Sequence, residues 1–128
     1  MEFIDLQRQY RELEKGINDG IKNVLEHGKY IMGPEVQQLE KELCNFTGSK
    51  YCLTCANGTD ALQMALMALG IGPGDAVFVP SFTFMSTAEV VNLVGATPVF
   101  ADINIDTFNL DPESFEHAVQ KTISKGDL

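Results

Sequence analysis

The chain has 128 residues, 45% of them hydrophobic and 21% charged, and its 9 basic and 18 acidic side chains give a net charge of -9. That composition supports one folded domain with a real core and excludes a chain disordered by composition. The acidic balance argues against nucleic acid as a partner, because such binding draws on Lys and Arg to neutralise phosphates; acids spread along helices read as a solvated surface.

At the start, residues 1–10 carry Glu2, Asp5 and Arg8 among apolar side chains, which is no signal peptide. No apolar run reaches the roughly 18 residues that span a bilayer. The expectation is a cytoplasmic protein with no membrane partner. From Leu6 to His27, apolar residues recur at Leu6, Tyr10, Leu13, Ile17, Ile21 and Val24, the gaps of three and four that make one stripe on a helix. Gly28 ends it, and a short loop follows. Gly33, Pro34 and Glu35 open a second helix, with proline at the first helical position and an acid near the positive end of the dipole. Its stripe is Val36, Leu39, Leu43 and Phe46, and Gly48 stops it.

Residues 50–55 read as a short strand, leading into the turn Ala56-Asn57-Gly58-Thr59-Asp60. Residues 61–69 are apolar on nearly every face, with Gln63 the lone polar side chain, which predicts a helix buried on all sides. Residues 76–79 are a second strand, apolar throughout as a doubly covered parallel strand is. A loop at 80–84 precedes a buried helix over 85–94, closed by Gly95. Residues 97–101 are a third strand, followed by an acidic loop at 102–106. Asp111 is the expected N-cap of a last helix opened by Pro112 and Glu113, and a tail follows from Lys125 to Leu128.

Strands alternating with helices predict an α/β fold: a parallel-rich sheet with helices on both faces. Residues 1–48 form an N-terminal helical part and 49–128 the alternating part. Three strands leave an apolar sheet edge open, and the pattern ends on a helix where another strand belongs. The sequence is therefore expected to be cut rather than finished, and its open edge to favour self-association or a larger assembly.

Cys44, Cys52 and Cys55 are an odd count without a secretory signal, which fits reduced thiols. Cys52 and Cys55 stand three apart on a predicted strand, pointing to opposite faces, and His27 and His117 lie at no metal-ligand spacing. The expectation is buried structural thiols and no metal. Gly70-Ile71-Gly72-Pro73-Gly74 follows a helix and precedes a strand, the reverse of the dinucleotide-binding order, so it is a plain turn.

Ligands of open parallel sheets sit beyond the C-terminal strand ends, where the loops 56–60, 80–84 and 102–106 fall. In the first, glycine admits a close ligand and the N–H groups of a new helix point outward beside a threonine hydroxyl, a small anion site suited to phosphate. The same Asn-Gly-Thr is also a common capping turn, and it matches a glycosylation sequon that a cytoplasmic protein does not use. In the second, Phe82 and Phe84 at a strand end are either core or a stacking face for a planar ring.

Phe3-Ile4-Asp5-Leu6, residues 28–36 (G-K-Y-I-M-G-P-E-V), Asn57-Gly58-Thr59-Asp60-Ala61-Leu62, residues 66–75 (L-M-A-L-G-I-G-P-G-D), residues 80–84 (P-S-F-T-F) and residues 95–102 (G-A-T-P-V-F-A-D) occur in that order. Together they resemble the DegT/DnrJ/EryC1/StrS aminotransferases, which make amino sugars on nucleotide carriers. The resemblance implies the N-terminal part of the large domain of aminotransferase fold type I, from a homodimer that uses pyridoxal 5'-phosphate. It implies that Gly58, Thr59 and Asp60 hold the cofactor phosphate through backbone N–H groups and the Thr59 hydroxyl, and that Phe84 stacks on the pyridine ring. Tyr30 and Met32, within the stretch 30–33, would line the sugar site. It implies glutamate as amino donor, a nucleotide-linked keto sugar as acceptor, and a slight lean toward UDP-linked 3-keto or 4-keto sugars.

The family's Schiff-base lysine, the aspartate that pairs with the pyridine nitrogen and a nearby glutamine all fall beyond residue 128, so no catalytic residue is assigned. Lys15, Lys22, Lys29, Lys41, Lys50, Lys121 and Lys125 sit on predicted helix surfaces, turns or the tail. Asp102 belongs to an earlier family loop and is read as structural. The chain alone is expected neither to bind the cofactor covalently nor to transaminate. A dehydratase of the same family, with histidine in place of the lysine, and a non-catalytic anion-binding module are the alternatives.

Overall fold

The computed structural model describes residues 3–126. Met1, Glu2, Asp127 and Leu128, and with them the outer ends of the N-terminal reading and of the tail, lie outside the described residues. The chain divides into two units, one ending at Thr54 and one beginning at Cys55.

The first unit holds α1 (Leu6–His27) and α2 (Pro34–Thr47), with the bounds that periodicity predicts. Asp5 caps α1, its Oδ1 accepting the Arg8 N–H at 2.8 Å. Gly28 (φ 66°) and Gly48 (φ 73°) end the helices in the left-handed conformation that glycine adopts without a Cβ clash. The predicted stripes stand largely uncovered: Leu6, Tyr10, Leu13, Ile17 and Ile21 are exposed, while Val36 and Cys44 are half-buried.

The expected strand at 50–55 does not form. A strand exists only through a ladder, and among the described residues no segment pairs with this one. The Thr54 N–H instead donates to Glu40 Oε1 of α2 at 2.9 Å, as does the Thr54 hydroxyl at 2.9 Å.

The second unit runs α3 (Gly58–Ala68), β1 (Ala76–Pro80), α4 (Ser86–Leu93), β2 (Thr97–Ala101) and α5 (Pro112–Lys125). β1 and β2 pair in parallel from Ala76↔Thr97 to Pro80↔Ala101, so both strand exits lie side by side. The sheet has two strands, not three, because the first predicted strand is absent. Its core is Val79, Val90, Val91 and Ala96, with Leu66, Ile71, Val77, Ala88 and Val94 packed around it. Each such valine contributes about 1.5–3 kcal/mol by leaving water. Val77 and Val79 face α4, whereas Phe78 between them meets Phe115 of α5 edge-on at 5.4 Å. Since neighbouring strand residues point to opposite faces, α4 and α5 cover opposite sides of the sheet, as the α/β reading requires.

α3 corrects a second expectation. Its apolar residues are not buried on all sides: Leu62, Met64 and Met67 are exposed, and Leu66 reaches the core. A helix apolar all round needs neighbours on every face, and within this unit α3 packs mainly against α4. The 70–74 segment is the helix-to-strand turn expected, with the Asp75 carboxylate accepting the Gly72 N–H at 2.9 Å.

Candidate functional site

The turn before α3 is built by Asn57 and Asp60. Asn57 is the N-cap in extended backbone (φ -163°, ψ 174°), and its Oδ1 accepts the Asp60 N–H at 2.9 Å. Its Nδ2 returns a bond to Asp60 Oδ2 at 3.1 Å, so cap and third helical residue hold each other. The Ala61 N–H reaches the Asn57 carbonyl at 3.2 Å. Among the described residues, no acceptor takes the N–H groups of Gly58 and Thr59 or the Thr59 hydroxyl. A Cβ added at Gly58 would meet nothing within 4 Å, so the space beside the Gly58 Cα is open. The helix dipole adds a fixed positive field at the same place. The Gly58 and Thr59 N–H groups at this helix start are thus available to an acceptor, while the Asp60 N–H is already used in shaping the turn.

β1 and β2 deliver two more loops. Phe84 is 78% exposed, and its carbonyl accepts the Thr87 N–H of α4 at 3.1 Å. Phe82 lies 6.0 Å from Phe108, ring centre to ring centre. Asp102 Oδ1 accepts the Ile103 N–H at 2.8 Å and the Ser81 hydroxyl at 2.9 Å. Those two bonds, in that order of weight, hold the Asp102 carboxyl below its ordinary range. Asp111 caps α5 as predicted, accepting the Ser114 N–H at 2.9 Å.

In the first unit, Tyr30 and Met32 stand in the wall of an open hollow of about 550 Å³ lined by residues 28–34 and Gln37. Met32 has φ 49°, uncommon for a residue with a side chain. The hollow is framed by a contact without a sequence signal, because its partners are eight residues apart across a helix break. His27 Nε2 lies 2.9 Å from Glu35 Oε1, and the Lys29 N–H donates to His27 Nδ1 at 3.0 Å. A backbone N–H can only donate, so Nδ1 accepts and the ring proton sits on Nε2, facing Glu35. The His27 bond is the main reason the Glu35 carboxyl lies below its ordinary range, and the Thr54 N–H is the main reason for Glu40.

These three carboxylates set an acid response. Each has a folded pKa lowered from its ordinary value, so its stabilising contribution is present above the unfolded pKa and lost as pH falls through the lower folded value. Carboxyl NMR should place the midpoints of Glu35 and Glu40 below 4.5 and that of Asp102 below 3.8. Midpoints at or above those values would contradict the bonding described.

The thiols are not buried as expected. Cys44 and Cys52 are half-buried, and Cys55 is exposed with its Sγ 3.2 Å from the Asn57 carbonyl. The residue ahead of a helix start has little to cover it, and the missing strand removes the neighbours that would. Lys15, Lys22, Lys29, Lys41, Lys50 and Lys121 are exposed. Among the described residues no group of His, Cys, Asp and Glu is arranged to hold a metal, and no helix is long and apolar enough to cross a membrane.

Residues 11–125 match the DegT/DnrJ/EryC1/StrS aminotransferase family. Over 119 residues the chain is 56% identical to the UDP-2-acetamido-2-deoxy-3-oxo-D-glucuronate aminotransferase of Pseudomonas aeruginosa, a match covering 93% of the chain and 33% of that protein. The crystal structure of a DegT DnrJ EryC1 StrS aminotransferase from Brucella abortus is similar with a TM-score of 0.93 at 54% identity, over 100% of this chain and 34% of that one. The structure of NtdA from Bacillus subtilis with bound cofactor PMP is similar with a TM-score of 0.83 at 34% identity, over 92% and 27%. The chain thus spans about a third of the length of the curated relatives it matches.

Proposed function

Because the chain belongs to the DegT/DnrJ/EryC1/StrS aminotransferase family, we propose that it forms the phosphate- and ring-holding part of a pyridoxal-phosphate-dependent aminotransferase acting on a nucleotide-linked keto sugar. The observation that carries this reading is the start of α3, where the Gly58 and Thr59 N–H groups and the Thr59 hydroxyl have no partner among the described residues and the space beside the Gly58 Cα is open. The residues fit the group: a phosphate needs donors at a helix start with no side chain in the way. Pyridoxal phosphate, when bound, supplies the amino-group carrier and electron sink of transamination.

The chain's own residues then have separate tasks. Gly58 and Thr59 hold the phosphate through their N–H groups and the Thr59 hydroxyl. Asp60 belongs to the same cradle, and its pairing with Asn57 keeps the turn in shape. Phe84 offers an exposed, flat apolar face to the pyridine ring. Tyr30 and Met32 offer the wall of a hollow to the sugar substrate, with a phenol hydroxyl for hydrogen bonding. A UDP-linked 3-oxo sugar is the acceptor we favour, supported by the 56% identical relative from Pseudomonas aeruginosa. The reading also takes glutamate as amino donor, a homodimer as the assembly and the cytoplasm as the setting.

Two measurements test it. A protein that carries this chain together with the family's Schiff-base lysine, given pyridoxal phosphate, a UDP-linked 3-oxo sugar and glutamate, should release 2-oxoglutarate and the amino sugar, whereas residues 1–128 alone should not; no product from the lysine-bearing protein with saturating cofactor would overturn the reading. Thr59→Val removes one charge-assisted hydrogen bond, about 1.5 kcal/mol, and should weaken cofactor binding about tenfold in an absorbance titration. Unchanged affinity would remove Thr59 from the cradle.

A further inference from the structure

We propose that Asp102 is a positioning residue that fixes where the Phe84 ring stands, by holding Ser81 at the exit of β1. The proposal rests on the reading of Phe84 as the platform for the cofactor ring.

Residues 81–85 are the short link between β1 and α4, and both ends of the link are tied down. At the α4 end, the Thr87 N–H donates to the Phe84 carbonyl at 3.1 Å, and the Thr83 and Thr87 hydroxyls lie 3.2 Å apart. At the β1 end, the Ser81 N–H donates to the Ala101 carbonyl at 2.9 Å, and the Ser81 hydroxyl to Asp102 Oδ1 at 2.9 Å. The Phe82–Phe108 ring contact adds a second tie to the loop after β2.

Asp102 is itself anchored. Its N–H donates to Ser114 Oγ at 2.7 Å, and its carbonyl accepts the Asp111 N–H at 2.9 Å. The link that carries Phe84 is therefore referred through one carboxylate to the start of α5. The Phe84 ring has little of the chain over it, so its place depends on its backbone and not on packing of the ring. A ring held in this way is ordered before a ligand arrives, which lowers the cost of binding.

The test compares four variants of the protein by pyridoxal phosphate titration, and follows amide exchange of residues 81–84 without cofactor. Phe84→Ala should weaken binding about tenfold or more. Asp102→Ala and Ser81→Ala should each weaken it about three- to tenfold, speed exchange in the link, and together do little more than either alone. Asp102→Asn keeps an Oδ1 acceptor and should stay within about twofold of the parent in binding and exchange. Parent-like binding by both alanine variants overturns the proposal, even where they lower thermal stability. An asparagine variant as weak as alanine also overturns it, because charge and not position would then matter. If Asp102→Ala does not fold, Ser81→Ala decides. If Phe84→Ala binds like the parent, the platform reading falls and this proposal with it.

Discussion

Gly58→Asp is expected to abolish cofactor binding while leaving the fold intact. A Cβ at this position meets nothing within 4 Å, and the backbone there needs no glycine, so the side chain enters without a clash. A carboxylate in the first turn of α3 also complements the helix dipole, a stabilising effect of about 0.3–1 kcal/mol. The same carboxylate would stand within the first turn of α3, beside the Gly58 and Thr59 N–H groups, because side chains of a helix lean toward its N-terminus. At a separation of about 5 Å and an effective dielectric of about 20, its repulsion of a phosphate charge is about 3 kcal/mol, more than a hundredfold in affinity. Stability and affinity thus move in opposite directions, a pattern that simple damage to the fold does not produce. Denaturant unfolding and pyridoxal phosphate titration of one preparation read both. Retained affinity would show that the phosphate does not sit at the start of α3.

Gly33→Ala should disrupt the hollow that carries Tyr30 and Met32. Gly33 is the buried N-cap of α2, and its φ of -66° is open to any residue. The constraint is space: an added Cβ would lie 2.4 Å from the Lys29 carbonyl oxygen and 3.3 Å from Glu35 Oε2. A backbone oxygen cannot rotate away as a side chain does, so residues 29–33 must shift. The expected cost is about 1–3 kcal/mol, as for other overpacked sites. The shift should also part the Lys29 N–H from His27 Nδ1 and His27 Nε2 from Glu35, since all three belong to the same turn. Amide exchange should quicken over residues 28–37 and stay unchanged at the α3 cradle, and sugar-nucleotide binding should weaken while cofactor affinity holds. A parent-like exchange pattern would mean that the turn relaxes without cost. The two glycines thus differ in kind, one facing open space and the other a close approach of the chain to itself.

Much of the chain was legible without coordinates. Both bounds of α1, the proline-led starts of α2 and α5, the glycine stops at Gly28 and Gly48 and the Asp111 cap all follow from residues within a turn of one another. β1 and β2 were legible as apolar runs between turn residues, and the family from spaced motifs. The turn before α3 was legible as Asn57-Gly58-Thr59-Asp60, although its hydrogen bonding was not. That the Asp60 N–H is taken by Asn57, leaving Gly58 and Thr59 free, depends on side-chain rotamers that the motif does not specify.

The readings that failed share a cause. Residues 50–55 have the composition of a strand, but a strand needs a partner, and Glu40 claims the Thr54 N–H instead. Residues 61–69 have the composition of a buried helix, but burial belongs to the neighbours and not to the helix. The Ser81–Asp102 tie joins residues 21 apart, and no local pattern marks it. By itself the sequence determined what is settled within a few residues: periodicity, caps and turns. Only the tertiary structure decided which surfaces are covered, which donors stay free at the start of α3, and that Ser81 meets Asp102, because each of these depends on groups that only folding sets against one another.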